Sequence, residues 1–279
     1  MRQVRWISPV LIGVIVAIGC GSGKPQDAAA RTEDAAQPAA PMQLAEAPAG
    51  TALAATGSSS IQGAVKFEGT APTLQKINMG ADPVCKQHPE PLSALIVEEG
   101  AKKDYIYVAV NANSTLKDVF VYVKEGLAGS FPAPTAPVVL DQAGCRYHPH
   151  VFGIQVNQPL EIVNSDPTLH NVNAKPTINQ PFNLAQPSNK SPKMTKQFAK
   201  PEVMVKFLCN VHSWMRAYGG VVAHPFFSVS GDDGAFAITG LPAGTYVVEA
   251  WHEKYGTKTQ TVTVADGQAA TADFTFAAQ

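Results

Sequence analysis

Residues 203–215, Val-Met-Val-Lys-Phe-Leu-Cys-Asn-Val-His-Ser-Trp-Met, constrain the fold more than any other stretch of the chain. Val203, Val205, Phe207 and Cys209 recur at period two, the spacing of a β-strand with one face in an apolar core, so the alternation aims Cys209 inward. The strand runs directly into a loop that spaces Cys209, His212 and Met215 at three-residue intervals. A thiolate, an imidazole and a thioether on one short loop, joined by one more imidazole, make the donor set of a trigonal copper site with a weak axial sulfur. His170, closing Asn164-Ser165-Asp166-Pro167-Thr168-Leu169-His170, supplies that imidazole. It lies 39 residues before Cys209, so a rigid scaffold must hold two separate loops together.

The rest of the sequence fits an all-β scaffold. Short alternating runs such as Ile61–Phe67, Tyr105–Val110, Asp118–Val123 and Tyr246–Ala250 are rich in Val, Phe and Tyr, and 22 Gly and 22 Pro punctuate the chain. Only 15% of the residues are charged, the net charge is −1 and no basic stripe is present, which argues against a nucleic-acid partner.

The N-terminus is a targeting segment. Arg2 and Arg5 precede an apolar run from Trp6 to Ile18, and Ala17-Ile18-Gly19-Cys20 follows the pattern of a bacterial lipobox, with Ala where Leu is usual. The competing reading is an ordinary signal peptide with Cys20 incidental. Residues 1–20 are therefore expected to be a lipoprotein signal peptide whose Cys20 takes a lipid, anchoring the chain to the envelope membrane. Gly21 lacks the Asp that retains some lipoproteins at the inner membrane, which points outward. Residues 21–58 form an Ala/Pro-rich tether, with 13 Ala between Ala28 and Ala55, too poor in large apolar side chains to offset ordering entropy.

Two cysteines then remain, Cys85 and Cys145. In an oxidising export compartment the arithmetic favours a disulfide between them. Two free thiols, or Cys145 as an accessory ligand beside His148 and His150, are the competing readings.

The pattern C-x-x-H-x-x-M, preceded by His170-Asn171-Val172, resembles the cupredoxins, and the tight ligand loop is most similar to that of amicyanin. The stretch from Tyr147 to Asn164 is similar to the cupredoxin lead-in. The order from Leu140-Asp141-Gln142 through Trp251-His252-Glu253 resembles the methylamine-utilization-type proteins, whose tail is a carboxypeptidase-regulatory-like, transthyretin-like sandwich. Asp233-Gly234-Ala235-Phe236 and Gly240-Leu241-Pro242-Ala243-Gly244 resemble that tail.

The resemblance implies an all-β chain: a cupredoxin Greek-key sandwich at 137–224 and a smaller regulatory-like sandwich at 225–279. Residues 59–136 then supply either the first strands of the smaller sandwich or the N-terminal part of the cupredoxin. It implies one type 1 copper held by His170, Cys209, His212 and Met215, with Asn171 hydrogen-bonding across to the Cys209–Asn210 segment.

Bland alternatives compete at each position. A lone buried Cys is usually a small hydrophobe, but Cys209 has His and Met at ligand spacing. Zinc is poorly served by a thioether, and no C-x-x-C-H motif for haem is present. His88, His148, His150, His224 and His252 read as packing residues. Trp214 is either a docking surface or a lid over the metal. The expected function is single-electron transfer with a redox protein partner that docks near an exposed edge of His212. The alternatives are copper storage or delivery, or a non-redox surface-binding sandwich. Four protein ligands leave no open position for substrate, so an enzyme is not expected.

Overall fold

A computed structural model describes residues 57–88, 92–100 and 102–278. The segments expected to be a signal peptide and a tether, including Cys20, fall almost wholly outside the described residues. Strands dominate these residues, and a single turn of helix, Pro83–Lys86, interrupts them.

The first sandwich has a five-stranded sheet in the order Phe182–Gln186, His170–Lys175, Glu202–Leu208, Arg216–Val222, Val151–Gln155. Facing it is a four-stranded sheet in the order Met194–Lys196, Leu160–Asn164, Val138–Ala143, Arg146–His148. Leu140, Ile154, Ile162, Phe198, Val205 and Phe207 fill the space between them. The second sandwich pairs Ser59–Glu68 with Ala235–Leu241, Ala269–Thr271 and Phe274–Ala277 on one side. Its other sheet runs Phe227–Val229, Phe120–Glu125, Gly244–His252, Gly256–Val264. Ile61, Val121, Ile238, Val248 and Phe276 lie between these sheets. Part of residues 59–136 packs elsewhere: Ile77, Met79, Cys85, Ala94 and Tyr105 belong to the core of the first sandwich.

The two sandwiches stack because strand Arg216–Val222 is apolar on both faces. Ala217 and Val221 point into the core of the first sandwich, while Tyr218 and Val222 join Phe120, Tyr122 and Val151 in a third cluster between the sandwiches. Close approach requires a flat spot, and Gly153 and Gly220, opposite one another in the parallel pair, provide it. A Cβ on Gly220 would lie 2.4 Å from the Phe120 ring, and one on Gly153 would lie 2.2 Å from Phe227. Gly220→Val should therefore cost about 3 kcal/mol by overpacking, read as a lowered midpoint in chemical denaturation. An unchanged midpoint would show that Phe120 can yield.

The period-two expectation fails at one position. Val205, Phe207 and Cys209 are buried, but Val203 is 36% exposed. The register shifts between Glu202 and Val205. This turns the Glu202 carboxylate inward, where it accepts the backbone N–H groups of Thr177, Ile178 and Asn179. Burial works against ionisation there, yet these hydrogen bonds hold its pKa down to about 2.

Candidate metal centre

Antiparallel pairing sets Asn173 opposite Leu208, which carries His170 past the end of the partner strand to the Cys209 loop. The loop closes on itself. Cys209 N–H donates to Met215 O (3.2 Å) and Met215 N–H to His212 O (2.9 Å), while His212 N–H points at Cys209 Sγ (3.4 Å). Asn171 ties the two segments together: its Oδ1 accepts from Asn210 N–H at 2.7 Å and lies 3.4 Å from Cys209 Sγ. Asn210 Oδ1 accepts from Asn173 Nδ2 at 2.8 Å. Met215, on the same loop, is 1% exposed.

The donor atoms of His170, Cys209 and His212 lie within 4.8 Å of one another, and all three residues are buried. His170 Nδ1 and His212 Nδ1 are 2.9 Å apart, and Cys209 Sγ is 3.9 Å from the latter. Each imidazole commits its other nitrogen to a carboxylate. His170 Nε2 bonds Asp166 Oδ2 (2.8 Å), and His212 Nε2 bonds Asp82 Oδ2 (3.2 Å). With Nε2–H donated outward, both Nδ1 lone pairs face the thiol, and two such lone pairs in contact need a proton or a cation between them.

The electrostatics agree with this arrangement. Burial opposes ionisation of Cys209, but hydrogen bonds from His170 and His212 outweigh it and bring the thiol down to about 6. Burial likewise opposes the His170 imidazolium, yet Asp166 and Cys209 raise its pKa to about 9. At neutral pH the metal-free residues thus pair a thiolate with an imidazolium, and a soft cation can replace that proton between the same atoms. Cys, two His and a buried Met suit copper by donor chemistry.

Cys85 and Cys145 form a disulfide, so neither is a free thiol or a separate ligand. It lies against the metal centre, with Cys85 Sγ 3.6 Å from His212 Nε2. Asp82 caps the short helix by accepting from Val84 and Cys85 N–H (2.8 and 3.3 Å), and it also accepts from Thr168 Oγ1 at 2.8 Å. Burial works against the Asp82 charge, but these hydrogen bonds hold its pKa below the usual carboxylate range.

This cap corrects the expectation of an exposed His212 edge: His212 is 3% exposed. Trp214 packs over the His212 ring instead of standing on the surface. It is buried, its ring sits 5.0 Å from that of His212, and Nε1 donates to Cys145 O at 3.0 Å. Sequence reasoning missed the roles of Asp166 and Asp82. Asp166 stands four residues before His170 in a stretch already singled out, and Asp82-Pro83 is a helix-start signature.

Residues 222–277 match the carboxypeptidase regulatory-like domain. No curated protein matches the chain. Among solved structures, a Cu-containing nitrite reductase from Thermus scotoductus SA-01 is similar at 21% identity and TM-score 0.27, over 34% of this chain and 24% of that one. The match thus spans about a quarter of the nitrite reductase chain. A reduced amicyanin variant is similar at 18% identity and TM-score 0.27, over 36% of this chain and 97% of that one.

Proposed function

We propose that the chain is a type 1 copper protein of the bacterial envelope that carries single electrons between redox partners. One observation supports this most directly: two imidazole Nδ1 atoms and a thiol converge in a buried site, while the outer nitrogen of each imidazole is held by a carboxylate. Copper bound there supplies a reversible one-electron change between Cu(II) and Cu(I).

The protein's contribution is to hold the donors and exclude water. Asp166 and Asp82 fix the outer nitrogens of both imidazoles, so Nδ1 of each faces inward. Asn171 fixes the Cys209–Asn210 segment. A donor set packed on a sandwich core moves little when its charge changes, which favours electron exchange over metal release. His170, Cys209, His212 and Met215 are all protein ligands, leaving no position for a substrate; the chain is accordingly read as a carrier and not an enzyme. The lipid expected on Cys20, with the tether, would keep the carrier at the membrane facing the periplasm or in the outer membrane. A redox partner would approach over Leu169 and Val211, 41% and 49% exposed, each one residue before a ligand histidine.

The visible and EPR spectra of the copper-loaded, air-oxidised chain test the assignment, with an intense thiolate-to-copper band expected. Repeated oxidation and reduction with a small mediator in the presence of a Cu(I) chelator then tests the function. A carrier keeps its copper and its reversible colour through many cycles. Loss of copper on the first reduction would favour storage or delivery.

A further inference from the structure

The Trp251-His252-Glu253 motif belongs to the second sandwich, at the end of strand Gly244–His252. The Glu253 side chain is nonetheless only 4% exposed, and Oε1 faces the first sandwich through Tyr107 and His150. That oxygen accepts from the backbone N–H of Tyr107 at 3.1 Å and pairs with His150 Nε2 at 2.5 Å.

Both partners of Glu253 reach on to the ligand loop. Tyr107 Oη donates to the carbonyl of Trp214 at 2.8 Å. His150 Nδ1 donates to the carbonyl of Arg216 at 3.1 Å. These two carbonyls flank Met215 on either side. One carboxylate in the second sandwich is thereby linked, through two side chains, to the carbonyls of the residues before and after Met215.

We propose that Glu253 is a positioning residue for Met215, fixing the axial thioether of the metal centre across the boundary between the two sandwiches. The inference rests on the copper reading above. An axial thioether is a weak, long ligand, so its distance is set by the backbone that carries it more than by its own bond. Hydrogen bonds on the carbonyls of Trp214 and Arg216, one residue to either side of Met215, hold that backbone. A partly buried ring and a partly buried imidazole keep them in place, with Tyr107 and His150 meeting edge to face at 5.0 Å. The attached sandwich then has a function at the metal: it sets how strongly the sulfur engages Cu(II), and through that the reduction potential.

The test is a double-mutant cycle on the full chain, copper-loaded, read by visible and EPR spectra and by potentiometry. In the native background Glu253→Gln should change the intensity ratio of the two main visible bands and the EPR anisotropy. It should also raise the potential part of the way toward Met215→Leu, which raises it by removing a donor to Cu(II). In the Met215→Leu background Glu253→Gln should add nothing, because coupled residues are not additive. Tyr107→Phe, which cuts one of the two lines and keeps the ring, should reproduce the shift and covers the case of a poorly folded Glu253→Gln. Tyr122→Phe breaks the 2.7 Å hydrogen bond to Glu249 in the same inter-sandwich region, and should lower stability without moving the spectrum. Native spectra in both Glu253→Gln and Tyr107→Phe, or equal shifts with and without Met215, would overturn the inference alone. A native protein that never shows a thiolate–copper band overturns the copper reading, and this inference with it.

Discussion

Cys209→Ser is expected to abolish the intense visible band of the copper-loaded protein while leaving a folded β-sandwich. The band requires a thiolate bound to the metal, and Cys209 is the only free cysteine among the described residues. The fold should survive because Val205 and Phe207, both fully buried, carry the packing of that strand. Asn171 still bonds the Asn210 N–H whatever side chain precedes it. Ser is close in shape to Cys, and its hydroxyl can use the partners that surround the sulfur. The stability cost should thus stay near about 1 kcal/mol, the scale of one altered buried hydrogen bond. Visible absorbance after copper loading and far-UV circular dichroism check the two halves separately. A Ser variant that remains intensely coloured would remove Cys209 from the metal centre.

Much of that centre is legible in the sequence because its signals are local. Cys209, His212 and Met215 share one loop, and period two in Val205, Phe207 and Cys209 needs only an undisturbed strand. Val203 departs from the pattern because a register shift serves Glu202, whose partners at 177–179 are remote in sequence. The groups that fix the imidazoles differ in the same way. Asp166 is four residues from His170 and within reach of inspection. Asp82 meets His212 across 130 positions, and only the folded path of the chain brings them together. Glu253 is more distant still in effect, since it reaches the ligand loop through Tyr107 and His150. Counting favours the pairing of Cys85 with Cys145, and the fold forms it. That the bridge lies against His212 does not, because nothing in the spacing of the cysteines says which wall of the site they form.

That placement gives the second large effect. Replacing Cys85 and Cys145 together by Ser opens a loop with a sequence separation of 60 residues. The chain-entropy account of such a loop gives a loss of roughly 4 kcal/mol, read from the denaturation midpoint at unchanged slope. The bridge is also what holds the Pro83–Lys86 turn and Asp82 over His212. Without it the remaining ties are hydrogen bonds, such as Thr168 Oγ1 to Asp82 and Asp82 to His212, at partly buried positions. The cap should then open part of the time, wetting the outer edge of the imidazole and giving a chelator a way in. The copper-loaded double variant should therefore lose metal to a Cu(I) chelator at least about tenfold faster than the native protein, corresponding to an opening made easier by 1.4 kcal/mol or more. The two readouts separate two roles. A lower midpoint with unchanged copper loss would make the bridge a staple of the fold and leave shielding of the metal to Trp214. Faster copper loss is the result expected of a cap whose closure keeps the metal in place through its redox cycle.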